Sequence, residues 1–112
     1  MSDNPNEFGA TFWGSSLDDI DREVARLAAV CNVRILDPGV IERILQNDSN
    51  VCGSKNPLAF DKLRNALKMH YHLRDEAVGK IGEAKTQALI AAIVERLRAR
   101  VGDRLGGGSP TK

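Results

Sequence analysis

The sequence predicts an all-α fold: a small four-helix bundle-like domain over residues 15–104, with an irregular N-terminal arm and a flexible C-terminal tail. Apolar residues recur at helical spacing in four segments, which is the primary sequence signal for amphipathic helices. Proline and glycine stand where those segments would begin or end. No segment of useful length alternates apolar and polar residues as a half-buried strand does. At 112 residues the chain has the size of one domain with a sizeable core.

The N-terminal arm is predicted over residues 1–14, which lack a sustained apolar period and contain Asn, Gly and Pro. The first helix is expected to begin at Ser15 and Ser16, because Asp18 and Asp19 follow at the spacing of a capping box. These carboxylates would also lie near the positive end of the helix. One apolar stripe then follows the helix: Leu17, Ile20, Val24, Leu27, Ala28 and Cys31.

A capping side chain followed by proline predicts the starts of the second and third helices. Asp37 and Pro38 precede the second helix, which is short. Its apolar residues are Val40, Ile41, Ile44 and Leu45. Asn56 and Pro57 repeat the arrangement and open a third helix that runs to about Val78. The apolar face of this third helix is formed by Phe60, Leu63, Leu67, Tyr71 and Val78.

The fourth helix follows a break bracketed by Gly79 and Gly82, although one kinked helix through both glycines also fits. It is expected to end at Gly102, before a flexible tail over residues 105–112. Its apolar side contains Leu89, Ile90, Ile93, Val94, Leu97 and Val101. Alanines in the run ALIAAIV continue onto the outer face. The helix is therefore expected to be central, or else shared with a second copy in a homodimer.

Both histidines lie in the third helix, but their spacing excludes a shared metal ion. His70 and His72 point roughly 200° apart on a helix. His70 falls on the apolar side and is expected to be a packed, hydrogen-bonded core residue, whereas His72 is expected to be solvated. Adding Cys31 and Cys52 does not produce a usual paired-ligand spacing for zinc. We therefore expect no metal site.

Arg74 lies on the apolar side of the third helix, although arginine keeps its charge when buried. It is expected to pair with an acidic side chain of the N-terminal half or to extend its head group to solvent. A weaker alternative is an anion-binding or catalytic site formed by Arg74 with Ser54 and Lys55, which precede the N-terminus of the third helix. The complete nucleotide-binding loop motif is missing from this segment.

Basic residues at the end of the fourth helix form a second candidate site. Arg96, Arg100 and Arg104 step by four residues and would form a ridge able to contact nucleic-acid phosphates. Cations near a helix C-terminus are also expected from the helix dipole. Because no aromatic residues interleave with these arginines, nucleic-acid binding is kept as an alternative to binding a protein partner.

Three of the five Phe, Trp and Tyr residues lie in the predicted arm: Phe8, Phe12 and Trp13. One interpretation is that they fold back as a lid over the bundle and add buried apolar area. The other is that they anchor another protein, because aromatic side chains dominate interface hot spots. The lid is favoured slightly, since exposed aromatics on a free arm would invite aggregation.

No nucleophile, acid–base pair or metal-ligand spacing identifies a reaction, so we expect neither catalytic activity nor a cofactor. We also expect no membrane span, because no apolar run approaches the ~20 residues that one requires. The absence of an export signal favours a cytoplasmic location and free thiols.

The charges of the two halves of the chain are opposite. Residues 1–54 carry 4 basic and 9 acidic side chains, and residues 55–112 carry 12 basic and 6 acidic side chains. This asymmetry favours self-complementation, in which the two halves attract each other within one chain. The leading hypothesis is a small cytosolic protein-interaction or regulatory module.

Overall fold

The computed structural model describes residues 5–53 and 55–101, with side chains described for 12–53 and 55–100. It confirms the predicted all-α fold. The α-helices are α1 (Pro5–Cys31), α2 (Val40–Leu45), α3 (Pro57–Ile81) and α4 (Glu83–Val101), and a short 3-10 helix spans Ser49–Val51. No strand occurs in the described ranges. The predicted tail, residues 105–112, lies outside them.

The three long helices form the bundle, and the short α2 packs against α3. Helix α3 runs antiparallel to α1: Gly53, just before α3, donates its N–H to the carbonyl of Cys31 at the end of α1, while His70 further along α3 contacts Asp21 further back in α1. Helix α4 then returns beside α1, where a Cβ built on Gly14 would lie 3.4 Å from Leu89 Cδ2. Each α-helix contributes a fully buried aliphatic side chain to one shared core: Leu17, Ile44, Leu63 and Ile93.

Helix α1 begins ten residues before the predicted start at Ser15, so residues 5–14 are helical rather than irregular. Pro5 suits the first helical turn, where its missing N–H removes no hydrogen bond. Gly14 lies against α4, so tertiary packing offsets a helix penalty of about 1 kcal/mol for glycine. The predicted stripe along the rest of α1 is correct, since its members are buried apart from the half-buried Ile20.

Helix α2 begins two residues later than Asp37 and Pro38 predict. Its N-cap is Gly39, with φ of 80° and no side-chain capping bond. The Asp37 carboxylate instead pairs with Arg34, with Oδ2 3.3 Å from Nε, and the Asp37 N–H donates to the Arg34 carbonyl. The Asp37 carboxylate, which the sequence predicts as the cap of α2, is therefore used in a local turn before the helix.

The predicted start of α3 is confirmed, and the break before α4 is defined. The Asn56 side chain accepts a hydrogen bond of 3.0 Å from the Ala59 N–H, and Pro57 occupies the first turn. Helix α3 continues through Gly79 to Ile81, and its C-cap Gly82 has a φ of 93°, which requires glycine. Thr86 then donates its hydroxyl to the Gly82 carbonyl at 2.8 Å, which stabilises the sharp junction between α3 and α4.

Helix α4 lies at the outside of the bundle, not at its centre. Ile93 and Leu97 are buried against the other helices, but Ala88, Ala91 and Ala92 are exposed. The expectation of a central α4 is therefore wrong, because α1 and α3 cover only one side of it. Its sharing with a second copy stays a prediction.

Candidate functional site

The aromatic residues predicted to bind a partner lie in the N-terminal part of α1, and two of the predicted partner-binding arginines, Arg96 and Arg100, lie towards the end of α4. Phe12 is 55% exposed, although it belongs to a regular helix. Trp13 is half-buried, and the two rings meet edge to face with centroids 5.0 Å apart. Phe8 lies in the same helix, but its side chain is outside the described set. The exposure of Phe12 is the opposite of what a lid over the bundle would produce.

Only one of the three predicted arginines is involved in a described contact. Arg96 Nη2 lies 3.4 Å from Asp18 Oδ1, which joins α4 to α1. This pair gives limited support to self-complementation between the acidic and basic halves, since most other ion pairs are local. Arg100 is exposed, and Arg104 lies outside the described residues.

The histidines have the environments that their helical positions predict. His70 is largely buried and its Nδ1 lies 2.6 Å from Asp21 Oδ1 of α1. We assign the ring N–H of His70 as the donor and the carboxylate oxygen of Asp21 as the acceptor. His72 is exposed and pairs loosely with Glu76 one turn later, at 3.4 Å.

A cavity of about 280 Å³ lies at the junction of the four α-helices. Most of its lining is aliphatic, with Val24 from α1, Ile41 from α2, Leu67 from α3 and Ile90 from α4. Four polar side chains interrupt this lining: Asp21, His70, Tyr71 and Arg74. A largely apolar pocket with a few convergent polar groups is typical of small-molecule sites.

Of the two arrangements predicted for Arg74, pairing with an acidic side chain is not found among the described residues, whereas its half-buried state agrees with a head group that reaches solvent. Its guanidinium carbon lies 5.8 Å from the centre of the Tyr71 ring, and no ion pair or hydrogen bond of Arg74 occurs among the described residues. Burial raises the pKa of the Tyr71 hydroxyl, while the charge of Arg74 opposes that rise. Tyr71 therefore remains a neutral hydrogen-bond donor at physiological pH.

The predicted anion site is not assembled in one place. Lys55 precedes α3 and is exposed, whereas Arg74 lies near the other end of the same helix. At about 1.5 Å of rise per residue, roughly 25 Å separates them. Ser54 lies outside the described residues. Of Lys55 and Arg74, only Arg74 lines the cavity.

The two cysteines lie together where α1 meets the segment before α3. The pKa of the Cys31 thiol is raised to about 11. Burial is the larger cause, and the neighbouring Cys52 thiol is the smaller one. Both thiols are free. Within residues 5–53 and 55–101, no three His, Cys, Asp or Glu side chains are grouped so that they could hold a metal ion.

No family model, curated protein or solved structure matches this chain. Among the described helices, none combines the length and apolar character needed to cross a membrane.

Asp21 is the site residue that the sequence-based reasoning missed. Asp21 is 8% exposed. Its carboxylate forms a hydrogen bond with His70 and also lines the cavity. The signal was present, because Asp21 lies four residues after Leu17 and three before Val24, within the apolar stripe of α1. A carboxylate in such a stripe indicates a buried polar partner.

Proposed function

We propose that this chain is a non-catalytic module that binds another protein through the surface around Phe12 and Trp13. The observation that carries the proposal is the exposed Phe12 ring, held edge to face by the half-buried Trp13 on a regular helix. A helix restricts the backbone, so less conformational freedom is lost when a partner covers the ring.

Aromatic residues are enriched at protein interfaces, whereas single exposed aliphatic residues are common on ordinary surfaces. An anchoring aromatic contributes about 2 kcal/mol or more when it is buried at the centre of an interface. For Phe12, that value corresponds to roughly thirtyfold in Kd. Leu58 and Met69 are also exposed, but they are isolated aliphatic side chains on α3.

A homodimer through α4 is a separate prediction, because its surface does not include Phe12 or Trp13. The exposed face of α4 contains Ala88, Ala91 and Ala92, and small side chains would allow a second helix to approach closely. The proposal places the protein in the cytoplasm, where free Cys31 and Cys52 would remain reduced.

Nucleic-acid binding through the end of α4 is less favoured than protein binding. Arg96 already faces Asp18, so a phosphate would have to compete with a carboxylate of the same chain. An oligonucleotide titration at two salt concentrations separates the alternatives, because phosphate contacts weaken steeply with salt.

Site-specific photocrosslinking tests the proposal directly. A photoreactive phenylalanine analogue replaces Phe12 in one variant and Leu58 in a matched control, since Leu58 is even more exposed at 66%. We expect one discrete adduct from position 12, absent from position 58, which excess wild-type protein suppresses and excess Phe12→Ala protein does not. Equal adducts at both positions, or none at position 12, would contradict it.

A further inference from the structure

We propose that the cavity between the helices binds a small apolar carboxylic acid, with its alkyl body inside the bundle and its carboxylate held by Arg74 and Tyr71. This ligand site is separate from the surface around Phe12. Three features carry the inference: the aliphatic lining, the two donors that make no hydrogen bond or ion pair with a described residue, and the volume.

The lining selects an apolar body. The polar exceptions are confined to Asp21 and to residues 70, 71 and 74, which lie within about one turn of α3. A ligand that fills the remaining space contacts aliphatic side chains from all four helices. Burying its hydrocarbon there is favourable for the same reason that the surrounding core is buried.

The polar groups select an anion. Asp21 already accepts the hydrogen bond of His70, so its carboxylate has its own partner inside the bundle. Arg74 and the Tyr71 hydroxyl, in contrast, make no hydrogen bond with any described residue. A planar guanidinium is the side chain best suited to hold a carboxylate, and a neutral phenol supplies one more donor.

Charges near these donors limit the pose. Asp21 and the exposed Glu42 of α2 both act electrostatically on Tyr71. The lining contributed by α4 is aliphatic, including Ile90 and Val94. The ligand carboxylate must therefore lie on the Arg74 side of the cavity, away from Asp21, with its chain directed towards α4.

The volume limits the size of the ligand. The cavity of about 280 Å³ has room for a small organic molecule. This is near the lower limit of small-molecule sites. Because the site is small, a medium-chain monocarboxylate such as octanoate is the appropriate probe.

Calorimetric titration with octanoate, octan-1-ol and octylamine tests the proposal. We expect octanoate to bind about tenfold or more tightly than the alcohol, because hydrogen bonds to charged groups contribute most. The amine should bind more weakly still, because Arg74 would repel it. Equal binding of octanoate and octan-1-ol, or no binding of octanoate, overturns the proposal.

Three variants locate the site. Arg74→Gln should weaken octanoate binding about tenfold or more and leave octan-1-ol unaffected. Lys68→Gln is the matched charge control, because Lys68 is an exposed cation of the same helix outside the lining. Ala25→Leu keeps Arg74 but fills the cavity, and it should abolish binding in a protein whose circular dichroism remains native. Octanoate binding that survives Ala25→Leu in the folded protein overturns the assignment.

Discussion

His70 Nδ1 lies 2.6 Å from Asp21 Oδ1, and this hydrogen bond joins α3 to α1 across 49 positions of the chain. Both side chains are largely buried, so if the hydrogen bond breaks, neither group can form one with bulk water instead, and the free energy of folding suffers. The pair therefore fixes the position of α3 along α1. It also forms one wall of the cavity.

Removing the carboxylate of this pair should destabilise the fold. Asp21→Ala leaves the buried His70 donor without an acceptor, which costs about 1–3 kcal/mol in the free energy of unfolding. Urea unfolding measures the change. Glu76→Ala is the control, because Glu76 pairs with the exposed His72 and its removal should cost less than about 0.5 kcal/mol. Equal effects of the two substitutions would contradict a buried Asp21–His70 bond.

Two alanine substitutions at the end of α3 should have opposite signs. Gly79 lies inside the helix with nothing within 4 Å of a built Cβ, so Gly79→Ala should stabilise by about 0.5–1 kcal/mol. Gly82 has φ 93° and ψ 157°, a region that is almost exclusive to glycine, and Gly82→Ala should cost about 1–3 kcal/mol. Denaturant midpoints check both values. Stabilisation by both alanines would indicate one continuous helix through Gly82.

The shared core predicts a large difference between two leucines of α3. Leu63 is fully buried, and Leu63→Ala should cost about 2–5 kcal/mol because it leaves a cavity. Leu58 is exposed, so Leu58→Ala should change the free energy of unfolding by no more than about 0.5 kcal/mol. Thermal and urea unfolding measure both. Similar small losses would show that α3 does not pack as described.

The cysteines should differ in reactivity towards iodoacetamide. Cys31 is fully buried and its pKa is raised to about 11, so native protein at pH 8 should be alkylated at Cys52 and not at Cys31. Because its folded pKa is raised, the neutral Cys31 thiol contributes stability below pH 9 that is lost as the pH rises through 11. Peptide mass spectrometry measures the fraction of each cysteine that is alkylated as the pH rises from 8 towards 11. Equal labelling of both thiols at pH 8 would exclude the buried environment.

The start of α3 could be predicted from the sequence because its causes are local. Asn56 caps the Ala59 N–H three residues later, and Pro57 needs no hydrogen bond in the first turn. The start of α1 could not be predicted in this way. Local signals favoured a cap at Ser15, whereas Gly14 is helical and lies against Leu89, 75 residues further along the chain.

The candidate site was predicted only in part, for the same physical reason. The orientation of His70 follows from helical periodicity, but its partner Asp21 depends on how α1 and α3 pack. The cavity is the space left where the helices do not pack closely, and the spacing of apolar residues in the sequence does not reveal such a gap. The exposure of Phe12 likewise follows from its helical geometry, which the irregular composition of residues 1–14 concealed.

Phe12→Ala tests the proposed function most directly when stability and partner capture are measured on the same protein. Because Phe12 is exposed, we predict a change below about 0.5 kcal/mol in the free energy of unfolding. Capture of the partner that crosslinks at position 12 should fall by about thirtyfold or more. Marked destabilisation with capture unchanged would contradict the proposal and assign Phe12 to the packing of the bundle.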